Sequence, residues 1–218
     1  MKITEAYPNR LPKIWLYKMG NVTHVSSPKE INIASNLSSS RAKVFLESRF
    51  YIRDALSKLF DLNPLEIPLR ANPGEPPTLP KGMGYVSMSH CQDACIICWN
   101  KERIGIDIEY SDRNFNYKGL AQKYFYQKII NNSELNKYYI LKQWSAIEAA
   151  IKWDSGKLSK DIKYWQYKNY KKNLYHIKKK LTVNLNQFSF LKWTISIASQ
   201  NDLYSSNNII CNNIGHIK

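Results

Sequence analysis

The feature that most constrains this 218-residue chain is a pair of short acidic motifs whose first residues, Gly105 and Trp144, stand 39 positions apart. One is Gly105-Ile106-Asp107-Ile108-Glu109, and the other is Trp144-Ser145-Ala146-Ile147-Glu148-Ala149-Ala150-Ile151-Lys152. The alternation in the first predicts a strand, where residues i and i+2 share a face. Asp107 and Glu109 then point one way, and Ile106 and Ile108 point the other way, into a core. The second predicts a helix in which Glu148 and Lys152 stand one turn apart on one side. Three carboxylates and a lysine converging from a strand and a helix suit a Mg²⁺ ion and a phosphate ester. Taken singly, each motif has a plainer reading: a half-solvated strand, and a helix supported by an i,i+4 ion pair.

The bulk properties set the frame. The length allows one domain or two small ones, and 44% hydrophobic with 13% aromatic residues excludes wholesale disorder. The first residues lack the apolar run of a signal peptide, and no uncharged stretch is long enough to span a bilayer. A soluble, cytoplasmic protein with no membrane contact is expected. A net charge of +15 favours polyanionic partners: nucleic acid, anionic lipid or an acidic protein. The surplus gathers in the C-terminal half, most visibly between Lys157 and Lys180, where lysines alternate with Tyr164, Trp165, Tyr167, Tyr170 and Tyr175. Such a segment could bind single-stranded nucleic acid or form the solvated face of a β-hairpin.

Four cysteines occur, at 91, 95, 98 and 211. With His90 adjacent, the first three have the look of a zinc site. Cys95 and Cys98, however, sit in an apolar run that reads as a buried strand, where residues three apart face opposite sides. Small buried hydrophobes are the expected role.

Along the chain, a long helix is predicted from Ser39 or Ser40 to Phe60, with serines offering the N-cap and Lys43, Arg49 and Arg53 decorating it. A proline-rich loop follows from Pro64 to Pro80. Strands are predicted at Tyr85–His90, Ala94–Trp99 and Arg103–Glu109, and their short polar breaks suggest an antiparallel meander. Helical patterns return at Tyr117–Ile130 and from Ser133, as N-cap, to Ser155, with Gly156 as the stop. Runs at Leu174–Ile177, Leu181–Leu185 and Trp193–Ser199 read as strands. A faint internal echo lays Val86–Asp93 on Ile195–Asp202 and suggests two halves of similar build, with a cleft between them for a ligand.

Taken together, these signals resemble the Sfp-type 4′-phosphopantetheinyl transferases. That family pattern has a G-[IV]-D-[IV]-E strand, complete here at Gly105–Glu109, and a W-[ST]-x-K-E-[AS]-x-x-K helix, matched at Trp144–Lys152 except at Ile147. A G-K-P-x-L-P loop is similar to Gly74–Pro80, and an N-[ILV]-S-H-S strand end is similar to Ser87–Cys91. The resemblance covers roughly residues 40 to 155. It implies an α+β fold of two pseudo-symmetric halves, each a small antiparallel sheet packed with a long helix, at 1–104 (coenzyme A loop and strand) and 105–218 (metal site and catalytic helix). It further implies transfer of the phosphopantetheine arm of coenzyme A to a serine of an acidic acyl or peptidyl carrier protein, with release of 3′,5′-ADP, by a monomer.

By the same resemblance, Asp107, Glu109 and Glu148 hold Mg²⁺ (or Mn²⁺), and Glu148 is also the candidate base. Lys152 serves the leaving diphosphate, and Ser89 with His90 contacts the 3′-phosphate of coenzyme A. The chain departs from the pattern at Ile147 and Glu75, where the family has lysines near coenzyme phosphates. Each change is expected to weaken binding by about one to a few kcal/mol, with Arg41 or Lys43 compensating. Carrier proteins are typically acidic, so the charge finds a partner without nucleic acid.

Overall fold

The computed structural model describes residues 11–20, 25–125, 136–168 and 172–203. Among them are eight strands in two antiparallel sheets, with five α-helices. The strands are β1 (Lys13–Lys18), β2 (Tyr85–Cys91), β3 (Ala94–Asn100), β4 (Ile104–Tyr110), β5 (Trp165–Lys168), β6 (Asn173–His176), β7 (Leu181–Phe190) and β8 (Trp193–Ser199). The helices are α1 (Pro28–Ser35), α2 (Ser39–Phe60), α3 (Tyr117–Tyr124), α4 (Lys137–Trp153) and the single turn α5 (Leu158–Asp161).

Strand order is β1-β3-β2 in one sheet and β4-β8-β7-β6-β5 in the other. A β–α–β–β unit therefore occurs twice. In β1–α2–β2–β3 and again in β4–α4–β7–β8, the first strand pairs antiparallel with the last, and the middle strand lies on the far side of the last. The sheets meet face to face. Ile14, Leu16, Ile96 and Cys98 of the first pack on Ile106, Ile108, Ile195 and Ile197 of the second. On the outer face of the first sheet, Ile52, Leu56 and Phe60 of α2 cover Cys95, Ile97 and Trp99. On that of the second, α4 lays Ala146, Ala149, Ala150 and Trp153 over Leu185 and Ala198. Four layers result, helix–sheet–sheet–helix, and alternation along each strand supplies two buried faces.

Several expectations are corrected. The three central strands do not form one meander: β2 and β3 make a hairpin, but β4 joins the second sheet through β8. The reason is that β1, unrecognised in the sequence, takes the free edge of β3. The echo joined β2 to β8, whereas by topology β2 corresponds to β7 and β8 to β3. Helix α2 has the predicted span, but its N-cap is Ser38, and no side chain caps it. Helix α4 starts from Asn136, whose side chain accepts from the Tyr139 amide. At its end Ser155 takes the left-handed conformation (φ 53°), while Gly156 returns its amide to Ile151 O at 2.9 Å. Ser133, the end of the Tyr117–Ile130 helix, Tyr170, Cys211 and the N-terminal residues lie outside the described residues.

Candidate functional site

Edge strand β4 and helix α4 bring the two acidic motifs together, and Gly105 is what lets them approach. A Cβ built there would stand 2.0 Å from Ala149 O and 2.5 Å from Trp153 N, so only glycine allows this contact of strand and helix backbones. Two residues on, Asp107 lies opposite the last turns of α4. On its other side β4 faces β2, whose Ser87 and Ser89 share one face. Ser87 Oγ accepts the Ile106 amide at 3.1 Å, and Ser89 Oγ donates to Asp107 Oδ1 at 2.8 Å.

Lys152 Nζ is the hub. It donates to Asp107 Oδ1 at 2.7 Å and to Ser89 Oγ at 2.8 Å, and it stands 3.8 Å from Glu148 Oε2. Burial alone would lower its pKa, but the Asp107, Glu148 and Glu109 carboxylates outweigh burial and raise it. Asp107 is almost fully buried, and its second oxygen, Oδ2, has no hydrogen-bond partner among the described residues. Burial and the neighbouring Asp107, then Glu109, push the Glu148 carboxyl up to about 8 against the pull of Lys152. Glu109 is raised for the same reasons, opposed by Arg113, whose Nη1 lies 3.0 and 2.8 Å from its two oxygens. Three acids thus crowd one place with two cations to balance them.

The cluster sits between two openings. A groove of about 840 Å³ runs over Arg41, Arg49, Glu75, His90, Glu148 and Lys152. A smaller cavity of about 330 Å³ takes in Asp107, Glu109, Arg113 and Glu148, with Ser89 and His90 between the two. Partial desolvation of the His90 ring, with Lys152 and Arg49 near it, lowers its pKa. The donor set fits a hard divalent cation in kind: all oxygen, anionic, with one buried carboxylate oxygen unanswered. Yet among the described residues no group of three or more acidic, His or Cys side chains is placed to hold a metal, and Asp107 and Glu109 are ion-paired to Lys152 and Arg113.

Of the residues singled out from the sequence, Asp107, Glu109, Glu148, Lys152, Ser89, His90 and Arg41 all line these openings, whereas exposed Lys43 does not. Ile147 is 2% exposed in the core with Ile140, Ile151 and Phe125, so the side chain at this departure faces away from the groove. Glu75 does line the groove and accepts from Asn72. Trp144 packs against the same core beside Tyr124. Cys95 and Cys98 belong to opposite faces of β3, and burial raises both thiols, Cys95 to about 12.

Sequence reasoning passed over Arg49. Its side chain is buried in the groove wall, held by Ala71 O at 2.7 Å and Ser48 Oγ at 3.2 Å, with no carboxylate at ion-pair distance among the described residues. Burial lowers its pKa to about 10, still charged at neutral pH. Its place one turn before Arg53 gave no hint of this, because Arg53 is buried against Glu30 instead. In the lysine-rich segment, Lys163 and Lys178 cover Tyr164, and Lys168 covers Tyr175. No membrane-length apolar helix occurs among the described residues. Compared with models of protein families and with curated proteins, the chain matches none.

Proposed function

We propose that the protein transfers the 4′-phosphopantetheine arm of coenzyme A to a serine of an acyl or peptidyl carrier protein, as the sequence resemblance implies. One observation carries the reading: the unpartnered, buried Asp107 Oδ2 in a cluster with Glu148 and Lys152, between a long groove and a smaller cavity. The repeated β–α–β–β unit is in keeping with the two-halved fold of that family.

In this reading the nucleotide end of coenzyme A lies along the 840 Å³ groove, where Arg41 and Arg49 meet its phosphates and Ser89 and His90 lie nearest the cluster. The carrier serine enters from the Glu109 side. Its oxygen attacks the phosphorus that bears the pantetheine arm. The new Ser–O–P bond forms as the bridging P–O bond of the diphosphate breaks, and 3′,5′-ADP leaves. Glu148, in its ionised form, takes the serine proton, and Lys152 neutralises charge on the departing diphosphate. Asp107, Glu109 and Glu148 would hold Mg²⁺ or Mn²⁺, which supplies charge neutralisation at the diphosphate.

The test is to incubate the protein with coenzyme A, Mg²⁺ and apo carrier proteins, then weigh the carriers. A gain of one phosphopantetheinyl group, lost in Lys152→Met, supports transfer. If coenzyme A binds by calorimetry while no carrier gains mass, the protein is a coenzyme-binding relative without turnover, a reading that Glu75 in the groove wall favours.

A further inference from the structure

We infer that the protein accepts coenzyme A thioesters whose acyl group ends in a carboxylate, and that Lys81, Lys101 and Arg103 form the subsite for that carboxylate. The inference rests on the coenzyme A reading proposed above.

Beyond Lys152 lies a third opening, of about 610 Å³. Pro76, Pro77, Val86, Lys152 and Ser155 line both it and the long groove, so the two are continuous. Much of its wall is apolar: Leu79 on the proline-rich loop, Trp99 of β3, Ile104 of β4 and Trp153 of α4. The loop is fixed in place. Trp99 Nε1 donates to Met83 O at 2.7 Å, and at Gly84 (φ 80°) a Cβ would stand 2.6 Å from Asn100 O, so only glycine lets the loop lie against β3. Farther back, Thr78 and Arg70 exchange backbone hydrogen bonds at 2.8 and 3.0 Å.

The charge of this opening is one-sided. Exposed Lys81, Lys101 and Arg103 line it, Lys152 stands where it joins the groove, and no acidic side chain lines it among the described residues. Glu102 lies outside it, with its carboxylate accepting from Asn201 Nδ2 at 2.6 Å. A molecule suited to the opening is apolar along its length and anionic at its end.

The proposed transfer brings the coenzyme's arm here. The serine oxygen and the departing 3′,5′-ADP lie in line on opposite sides of the phosphorus, so the pantetheine arm leaves it to one side. The groove takes the nucleotide and the Glu109 cavity takes the serine, which leaves the third opening for the arm. Arg103 stands just before β4, four residues from Asp107, or about 13 Å at the rise of a strand. An acyl group on the sulfur is carried toward these cations, and a terminal carboxylate pairs with them where a methyl does not. The bonds exchanged are those given above, and the thioester passes intact to the carrier.

The experiment compares succinyl- and butyryl-coenzyme A, which differ by a terminal carboxylate against a methyl, by calorimetry without carrier. The proteins are the wild type, Arg103→Gln and the Lys101→Gln/Arg103→Gln double variant. The wild type is expected to bind the succinyl thioester about tenfold more tightly, the sum of a few exposed ion pairs. That ratio should fall stepwise to about twofold or less in the double variant, and shrink in high salt. With both thioesters in competition, weighing the apo carriers after reaction should show the succinyl-bearing product ahead. A wild-type ratio of about twofold or less overturns the inference, and so does a tenfold ratio that survives in the double variant. A double variant that keeps the ratio but binds the carrier more weakly assigns these cations to carrier docking, and overturns it too. A wild type that binds neither thioester nor coenzyme A overturns the coenzyme A reading itself, and is distinct from those results.

Discussion

Replacing Glu148 by glutamine should make the protein more stable, and the pH dependence of the gain tests the electrostatics of the cluster. In the native state burial and the Asp107 and Glu109 charges lift the Glu148 carboxyl from 4.5 to about 8. The native protein thus keeps a proton that the unfolded chain gives up in the ordinary carboxylate range. Stability contributed by that group is fully present below the unfolded pKa and is lost as pH rises toward about 8, levelling off beyond it. At about 1.4 kcal/mol per pKa unit, the loss reaches roughly 3 kcal/mol near pH 7. The side chain is 20% exposed, and solvent screening trims this to about 1–3 kcal/mol. Glutamine has nearly the same shape and no charge to lose, so Glu148→Gln should gain that amount, or about 3–10 °C in melting temperature for a chain of this size. Thermal unfolding followed by circular dichroism across the acid-to-alkaline range is the assay. The gap between variant and wild type should open above the ordinary carboxylate pKa and widen up to about pH 8. Added Mg²⁺ should raise the wild type and narrow the gap, with cation replacing proton. A variant that melts at or below the wild type at neutral pH, or a gap that does not shrink on acidification, would refute this account.

Three further outcomes follow from the geometry. Gly105→Ala forces a Cβ into the backbone of α4. It should cost about 3 kcal/mol or more, read as a lower urea midpoint at an unchanged slope, a cost at or above the upper end for overpacked cores. Arg49→Met keeps the length of the side chain but removes the buried cation of the groove. Calorimetry should show coenzyme A and 3′,5′-ADP binding about tenfold or more weakly, and an unchanged affinity would remove Arg49 from the binding surface. Cys95 and Cys98, buried and with raised pKa values, should resist thiol labelling in the native protein at neutral pH and react once it is unfolded, as peptide mass mapping can check.

What the sequence conveyed, and what it did not, divides along physical lines. Helix α2 and strand β8 were legible to the residue because their apolar periodicity is local. The convergence of Asp107, Glu109, Glu148 and Lys152 was legible because a strand and a helix each fix which side chains share a face. The partner of β4 was not, since alternation says that a strand has a buried face but not which strand lies beside it. The Ser27-x-x-Glu30 capping box that opens α1 was readable and was overlooked. Ile147 was assigned to the phosphates by its motif position, yet the helix turns it into the core. Arg49 was read as solvated because nothing local announces that the carbonyls of Ala71 and Asn72, 22 and 23 residues later, will wrap it.

The sheet-on-sheet core has a consequence for how the chain must mature during synthesis. The inner face of the first sheet, Ile14, Leu16, Ile96 and Cys98, packs in one cluster with β4 and β8, joined by Phe188, Phe190 and Leu203. Strand β4 in turn has no hydrogen-bonded neighbour in its sheet except β8, among the last segments in the described chain. A nascent chain that has emerged as far as Tyr110 therefore carries a finished hairpin with one greasy side bare, and it must wait for more than eighty further residues before that side can close. The wait lasts several seconds at ordinary elongation rates. Such an intermediate is a natural client for chaperones, and a stop codon anywhere before Trp193 would leave it permanently in that condition.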